Sequence, residues 1–581
     1  MSGGAARTAI RIFARRQKVF CVNVRKQLNY ESNVGTFRPA FIHLGSLMKQ
    51  LFKDLKLPLL LVALLSLCAT LSLPIIPFDE TRYVSVAWEM WNHHSFLVPL
   101  LNGEPYSHKP PMLFWMIQAG WKLFGVNDFS PRLIPGIFSL FNLILVYRIS
   151  LRIWPQERKT AVVAVWVLAS TLIWDLWSVA IMFDMVLTFW VLLGLLGTLR
   201  AAAHHRDGWL LLTAGIAGGL LTKGPAVFVY LLSIPLFRAW WDTQKEKPVR
   251  ATWYLSLLGC AAIGFAGALL WAIPAAMQGG DAYGQAILWG QTAGRVSSAS
   301  AAHGRPIWWY LPIVPLFFFP WILFCPSFAK FRLKTADGGT RFCMVWLGLP
   351  LLIFSLVSGK QIHYLIPFIP AGAMLIARNL IQSKESAGGA SAKAIGTLFI
   401  LLGITALMIP LVYLGSDVGH LNFGSTRFAA CGLLIAGLLL FIPFHSTSQM
   451  SRRLALSMVL ALFFTLFQAK STFMKGFDIK AVSELIKGKI DSGHMVVNVG
   501  QYHDQFHFLG RLEQPLTVLQ RENEIPEFSI DHPDALYITY EHEHYTLPDD
   551  AEIISAISTE GKIWSFGESE PHPSKRFCGD A

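Results

Sequence analysis

Long apolar runs, many of them roughly 17 to 23 residues, recur along most of this chain, and each is long enough to cross a hydrocarbon core of about 30 Å as a helix. The first runs from Pro58 to Pro77. Others lie at about 131–154, 160–177, 184–200, 209–222, 225–238, 253–275 and 307–328. Two more meet at Ser358-Gly359-Lys360-Gln361, and three follow before Lys470. The pattern predicts an α-helical polytopic membrane protein of about thirteen transmembrane helices. After residue 470 it changes to short alternating segments, Met495–Val499, Leu516–Leu519, Ala535–Tyr540, Ile553-Ile554 and Lys562–Phe566, which read as strands. With an amphipathic helix at Lys480–Lys487, residues 471–581 are expected to form a small α/β domain. Residues 1–47 are basic and weakly patterned, which marks them as an N-terminal extension, with Met48 the expected native start of a membrane module over 48–470.

Composition agrees with the pattern. Of 581 residues, 53% are hydrophobic and only 15% charged, against about a quarter charged in a soluble domain. The net charge of +13 would suggest nucleic acid in a soluble protein. Here Lys and Arg gather in alternate loops, so the charge sets membrane orientation and no nucleic-acid partner is expected. The basic N-terminal arm is placed in the cytoplasm and the first span leads outward, uncleaved. The final domain then falls on the outer face. Seven scattered cysteines, without a CxxC pair, exclude a disulfide framework and a structural cysteine–zinc site.

Charges at a membrane edge are costly, so each is a candidate for function. On the expected outer side these are Asp79, Glu80, Arg82, Lys109, Asp184, Lys223, Arg295, His303 and Lys360. They come from distant loops but share one face, which snorkelling side chains have no reason to do. For a single cation such as Lys223 snorkelling stays open, and Asp184 also reads as a helix N-cap. Other motifs are discounted. His503-Asp-Gln-Phe-His507 lacks the glutamate of a zinc-protease helix. Glu541-His-Glu-His544 reads as a solvated strand end. Trp88, Trp91, Trp174, Trp177, Trp308 and Trp309 read mainly as interfacial belts. No phosphate-binding loop or dinucleotide fingerprint occurs.

Several segments in order carry a resemblance. They are Phe78-Asp-Glu-Thr-Arg-Tyr83, Gly103-Glu-Pro-Tyr-Ser-His-Lys-Pro-Pro111, Leu123-Phe-Gly-Val-Asn-Asp128 leading to Arg132, and Phe183-Asp-Met-Val-Leu187. Leu221-Thr-Lys-Gly-Pro225, His303-Gly-Arg-Pro-Ile-Trp-Trp-Tyr310 and Ser358-Gly-Lys-Gln-Ile-His-Tyr-Leu-Ile-Pro367 continue the series. Over residues 50–380 the chain resembles the GT-C superfamily of polyprenyl-phosphate-sugar glycosyltransferases, in particular the aminoarabinose-transferase and protein-mannosyltransferase branch. The resemblance implies a multi-pass enzyme of the bacterial inner membrane with its active site facing the periplasm. It would move a sugar with inversion from undecaprenyl phosphate to lipid A or another envelope glycan or protein. Asp79, Asp184 and Lys109 match the family's catalytic acids and phosphate-binding lysine. Glu80, Arg82, Tyr83, Lys223, Arg295, Lys360 and Tyr364 are the expected substrate-binding set. In the aminoarabinose branch a Glu and a His share a divalent cation. Their positions are held here by His108 and His303, a possible site for zinc, magnesium or manganese. The partners expected are a lipid-linked sugar, a lipid or glycan acceptor and membrane lipid, with the protein acting as a monomer. A multi-span lipid or glycan transporter is the rival from another class. Its charges would lie near the bilayer midplane, often in repeated halves, and neither feature is seen. A glycan ligase or polymerase using a diphosphate carrier is the rival among enzymes.

Overall fold

A computed structural model describes residues 37–243, 249–288, 304–324, 336–382, 388–412, 426–469, 474–521, 524–541, 552–559 and 562–568. The chain forms two units, Met1–Leu57 and Pro58–Ala581. Among the described residues nine helices are long and apolar enough to cross a membrane, with two shorter apolar helices at Ile307–Phe318 and Arg427–Leu439. The first long helix is α1 (Phe37–Ser72). Two amphipathic helices too short to span follow, α2 (Asp79–Asn92) and α3 (Met112–Phe124), separated by a hairpin of β1 (Leu100–Leu101) and β2 (Glu104–Pro105). Next come α4 (Ser130–Ile153), α5 (Arg158–Leu168), α6 (Leu172–Trp177), α7 (Asp184–Ala202), α8 (Asp207–Lys223) and α9 (Ala251–Gly279). The later helices are α10 (Gly338–Leu356), α11 (Ile369–Gln382), α12 (Gly388–Val412), α13 (Arg427–Leu439) and α14 (Thr447–Ala469).

Helices α7 and α8 approach backbone to backbone. A Cβ added at Gly208 would lie 2.3 Å from the Ala201 nitrogen, so only glycine fits this contact, as is common where membrane helices meet. After α8 the chain reverses at Gly224, which has φ +64°. A Cβ at Gly219 would come within 2.3 Å of Val227, whereas eight residues of continuing helix would separate them by about 12 Å. The apolar run 160–177 is broken into α5 and α6. Ser170 and Thr171 return their hydroxyls to the Trp166 and Val167 carbonyls, and Trp321 Nε1 donates to Val167 at 3.1 Å. The freed backbone is thereby satisfied inside protein. Where 307–328 reads as one span, the described part forms short 3₁₀ turns, Ile307–Tyr310 and Val314–Phe318. Pro312, Pro315 and Pro320 remove the donors a continuous helix needs there.

The C-terminal region is α/β. Helix α15 (Lys480–Asp491) precedes a five-stranded mixed sheet of β3 (Val496–Val499), β4 (Thr517–Leu519), β5 (Leu536–Glu541), β6 (Glu552–Thr559) and β7 (Lys562–Glu568), in the order β4-β3-β5-β7-β6. Strand β3 is parallel to β4 and β5, while β7 runs antiparallel to β5 and β6. This region does not stand apart from the helices. Val482, Ile486, Val496, Phe506, Phe508 and Leu536 share one hydrophobic core with Tyr83, Met90, Phe114, Trp121 and Phe183. Trp121 stacks on Phe508 at 5.1 Å, and Trp88 Nε1 donates to the Leu512 carbonyl at 2.8 Å. Asp128 accepts from both Lys480 and Arg511 at 2.7 Å. The two amphipathic helices are thus a floor on which the α/β region rests.

Candidate active site

The turn that starts α2 fixes the site. Phe78 has φ +73°, a left-handed conformation uncommon outside glycine and often found at functional positions. Two acidic residues follow on consecutive helical positions, about 100° apart around the axis, and this rotation gives them opposite fates. The Glu80 side chain is only 6% exposed and forms a two-point pair with Arg132, at 3.0 and 2.5 Å. Its oxygens also accept the backbone N–H groups of Ile76 and Ile181, each at 2.9 Å. Glu80 is therefore fully occupied in joining three stretches of chain. Asp79 faces out, 52% exposed, and pairs with Arg82 one turn along.

The second carboxylate is Asp184, the first residue of α7 and 1% exposed. Lys223, at the end of α8, donates to its Oδ1 at 2.5 Å, while Oδ2 is buried without a hydrogen bond. Lys109 and His363 lie close enough to act on the same carboxylate electrostatically. Lys109 Nζ sits 5.9 Å from the centre of the Phe183 ring, and Lys223 Nζ 5.4 Å from that of Tyr364. Between the two acids stands Tyr83, packed edge-on to Phe183 at 5.0 Å. Burial, then the charge of Asp79, holds its phenol well above the usual tyrosine range, with Tyr106 and Asp184 adding to the shift. It stays a neutral hydrogen-bond donor at physiological pH. Asp79, Arg82, Tyr83, Lys109, Asp184, Lys223 and Tyr364 therefore converge from separate stretches of chain. The surround is rich in cations, and one buried carboxylate oxygen, Asp184 Oδ2, carries no hydrogen bond.

Among the other expected residues, Lys360 is held by backbone carbonyls. Lys360 is 3% exposed, and burial holds its ammonium below the usual lysine value. Its Nζ donates to the carbonyls of Arg305 and Val357, at 2.9 and 2.6 Å, beside the bridge that pairs Gly304 with Gly359. A residue so engaged fastens two loops. Lys360→Met is expected to lower stability by about 1–3 kcal/mol, the cost of orphaned buried carbonyls, and to leave donor affinity within about twofold; thermal unfolding and lipid binding check the two halves. Arg295 and His303 lie outside the described residues. The His108 ring lies 5.2 Å from that of Tyr106. Among the described residues it belongs to no group of three His, Cys, Asp or Glu side chains arranged to hold a metal ion. Its expected partner, His303, lies outside the described residues, so no chemistry is assigned to a metal there. The sequence reading passed over His363, although it lies within a segment carrying the resemblance. It also gave Arg132 no role, and only an arginine within an otherwise apolar helix start could have signalled one.

Residues 108–271 match the sequence family described as dolichyl-phosphate-mannose-protein mannosyltransferase. The undecaprenyl phosphate-alpha-4-amino-4-deoxy-L-arabinose arabinosyl transferase of Erwinia tasmaniensis is 30% identical over 387 residues, 62% of this chain and 68% of that protein. A Pseudomonas fluorescens protein of the same description is 31% identical over 343 residues, 58% of this chain and 61% of its own length. Among solved structures, ArnT from Cupriavidus metallidurans bound to undecaprenyl phosphate matches with a TM-score of 0.67 at 16% identity, over 88% of this chain and 98% of that one.

Proposed function

Because this chain belongs to the family of membrane glycosyltransferases that includes the undecaprenyl phosphate-alpha-4-amino-4-deoxy-L-arabinose arabinosyl transferases, we propose that it transfers an aminoarabinose-type sugar from undecaprenyl phosphate to lipid A. The observation that carries this reading is the gathering of Lys109 and Lys223 on Asp184, where α7 begins and α8 ends, with Tyr83 in electrostatic reach of both Asp184 and Asp79. The bond broken joins the sugar's anomeric carbon to the lipid phosphate, and negative charge grows on the departing phosphate oxygen. Lys109 is placed to meet that charge, with Lys223 and His363 adding to the field. Asp184 holds Lys223 and, with Lys109 and His363 in electrostatic reach, orients the cationic group. Asp79 lies on the solvent side. It takes the proton from an acceptor hydroxyl, or orients an acceptor phosphate that is already a nucleophile. Attack from the face opposite the leaving phosphate inverts the anomeric centre. Tyr83, kept neutral between the two acids, donates to the sugar or phosphate.

The positive-inside pattern supports a periplasmic position for the site and the α/β region on a bacterial inner membrane. It also supports about thirteen crossings, with the reversal at Gly224, the two shorter apolar helices and the broken run 160–177 counted beside the long helices. The test is transfer by purified protein from undecaprenyl-phosphate-aminoarabinose to lipid A, read by mass spectrometry. Lipid A gaining one aminoarabinose is the expected result. Unmodified lipid A with intact donor would refute the proposal.

A further inference from the structure

Away from the site just described, two acidic side chains face each other, and among the described residues no lysine or arginine parts them. Glu89, on α2, is 4% exposed and Asp504 is fully buried. The hairpin between β1 and β2 turns on Asn102-Gly103, with φ +53° and +80°, as an Asn-Gly turn favours. Its backbone N–H groups point into the same spot. The Asn102 N–H is shared between Glu89 Oε1 at 2.6 Å and Asp504 Oδ2 at 2.7 Å, and Gly103 donates to Glu89 Oε2 at 2.8 Å. The remaining oxygen, Asp504 Oδ1, has no hydrogen bond and faces His507 Nδ1 at 3.4 Å. That nitrogen also meets the Tyr502 hydroxyl at 2.8 Å. One ligand atom from each of Glu89, Asp504 and His507 lies within 4.8 Å of the other two. Among the described residues no lysine or arginine is ion-paired with either acid. Two buried carboxylates in hydrogen-bond reach of one N–H cannot both stay charged without a cation or a proton.

We propose that Glu89, Asp504 and His507 bind a divalent transition metal of the zinc class, which fastens the C-terminal α/β region to α2 and the hairpin. Two carboxylates and an imidazole suit zinc, whereas magnesium and calcium favour all-oxygen surroundings. The ligands come from two stretches far apart in sequence, so the ion closes a loop of more than four hundred residues between Glu89 and Asp504. The role is structural. Glu89 lies ten residues along α2 from Asp79, or about 15 Å of helix, so the ion steadies the helix that presents Asp79 without touching the sugar.

The test uses full-length protein in detergent, stripped with a chelator and reloaded with zinc alone. Wild type and His108→Ala, which lacks the other candidate imidazole, are expected to retain one zinc per chain after gel filtration and to unfold at a higher temperature when loaded. Asp504→Asn is expected to weaken that zinc by more than about 100-fold, since loss of an outer-shell partner alone costs about 10- to 100-fold. No retained zinc in His108→Ala, or equal affinity in Asp504→Asn, would overturn the proposal and leave a shared proton between the acids. Should Asp504→Asn fail to fold, X-ray absorption of zinc-loaded His108→Ala decides. One imidazole with carboxylate oxygens supports the site, and sulfur or a second imidazole refutes it. None of these readouts depends on sugar transfer.

Discussion

Replacing Asp79 by asparagine is expected to cut sugar transfer by about 10²- to 10⁴-fold, the range for removing a positioned acid–base group, while the protein folds as before. Asp79 is half exposed and, among the described residues, its one ion pair is with Arg82 on the next turn. An exposed pair of this kind adds little to stability, about 0–1 kcal/mol. Function and fold therefore separate at this position. The expected kinetic signature is a fall in kcat with KM for the lipid donor nearly unchanged, because the side chain acts on the acceptor side. If the acceptor is a phosphate needing no proton removal, the loss falls at the lower end of the range and KM for the acceptor rises instead. Steady-state kinetics with each substrate varied in turn distinguishes the two.

The next residue gives the opposite outcome. Arg132→Met leaves the Glu80 carboxylate buried without its cation, and breaking a buried pair in this way costs about 3–5 kcal/mol. Arg132 also holds the Val179 carbonyl at 2.9 Å and the Pro74 carbonyl, so the loop before α2 and the loop before α7 both lose their anchor. Transfer is expected to fall only as the folded population falls. The double change Glu80→Gln with Arg132→Met is expected to recover part of the loss, because no charge is then stranded. Thermal unfolding of wild type and both variants in one detergent measures it, and full stability of Arg132→Met alone would refute the assigned role.

These two neighbours also show what the sequence could and could not reveal. Their position after an apolar run was plain, and so were the helices at Ser130–Ile153, Asp184–Ala202 and Ala251–Gly279, because membrane spans are written in length and apolarity alone. Which acid works on substrate and which bolts the fold together was not legible. It depends on the rotation of α2 set by Phe78 and on Arg132, a partner 52 residues away. Lys360 illustrates the same limit: its loop position suggests a ligand for phosphate, while its bonds to the carbonyls of Arg305 and Val357 are visible only in the structure. The breaks at Ser170-Thr171 and along Ile307–Phe318 were hidden because hydropathy does not register how backbone groups are satisfied. His503-Asp-Gln-Phe-His507 was set aside for want of a nearby glutamate. The glutamate that meets Asp504 and His507 is Glu89, carried there by the fold rather than by any local motif.

The account rests on the lipid phosphate being held where Lys109 meets Phe183 and Asp184. Binding of undecaprenyl phosphate to purified wild type, Lys109→Met and Lys360→Met, followed by native mass spectrometry, tests this most directly. A charge-assisted contact contributes about 1.5–3 kcal/mol, so Lys109→Met should bind roughly 10- to 100-fold more weakly, with Lys360→Met close to wild type. Unchanged affinity in Lys109→Met would contradict the account.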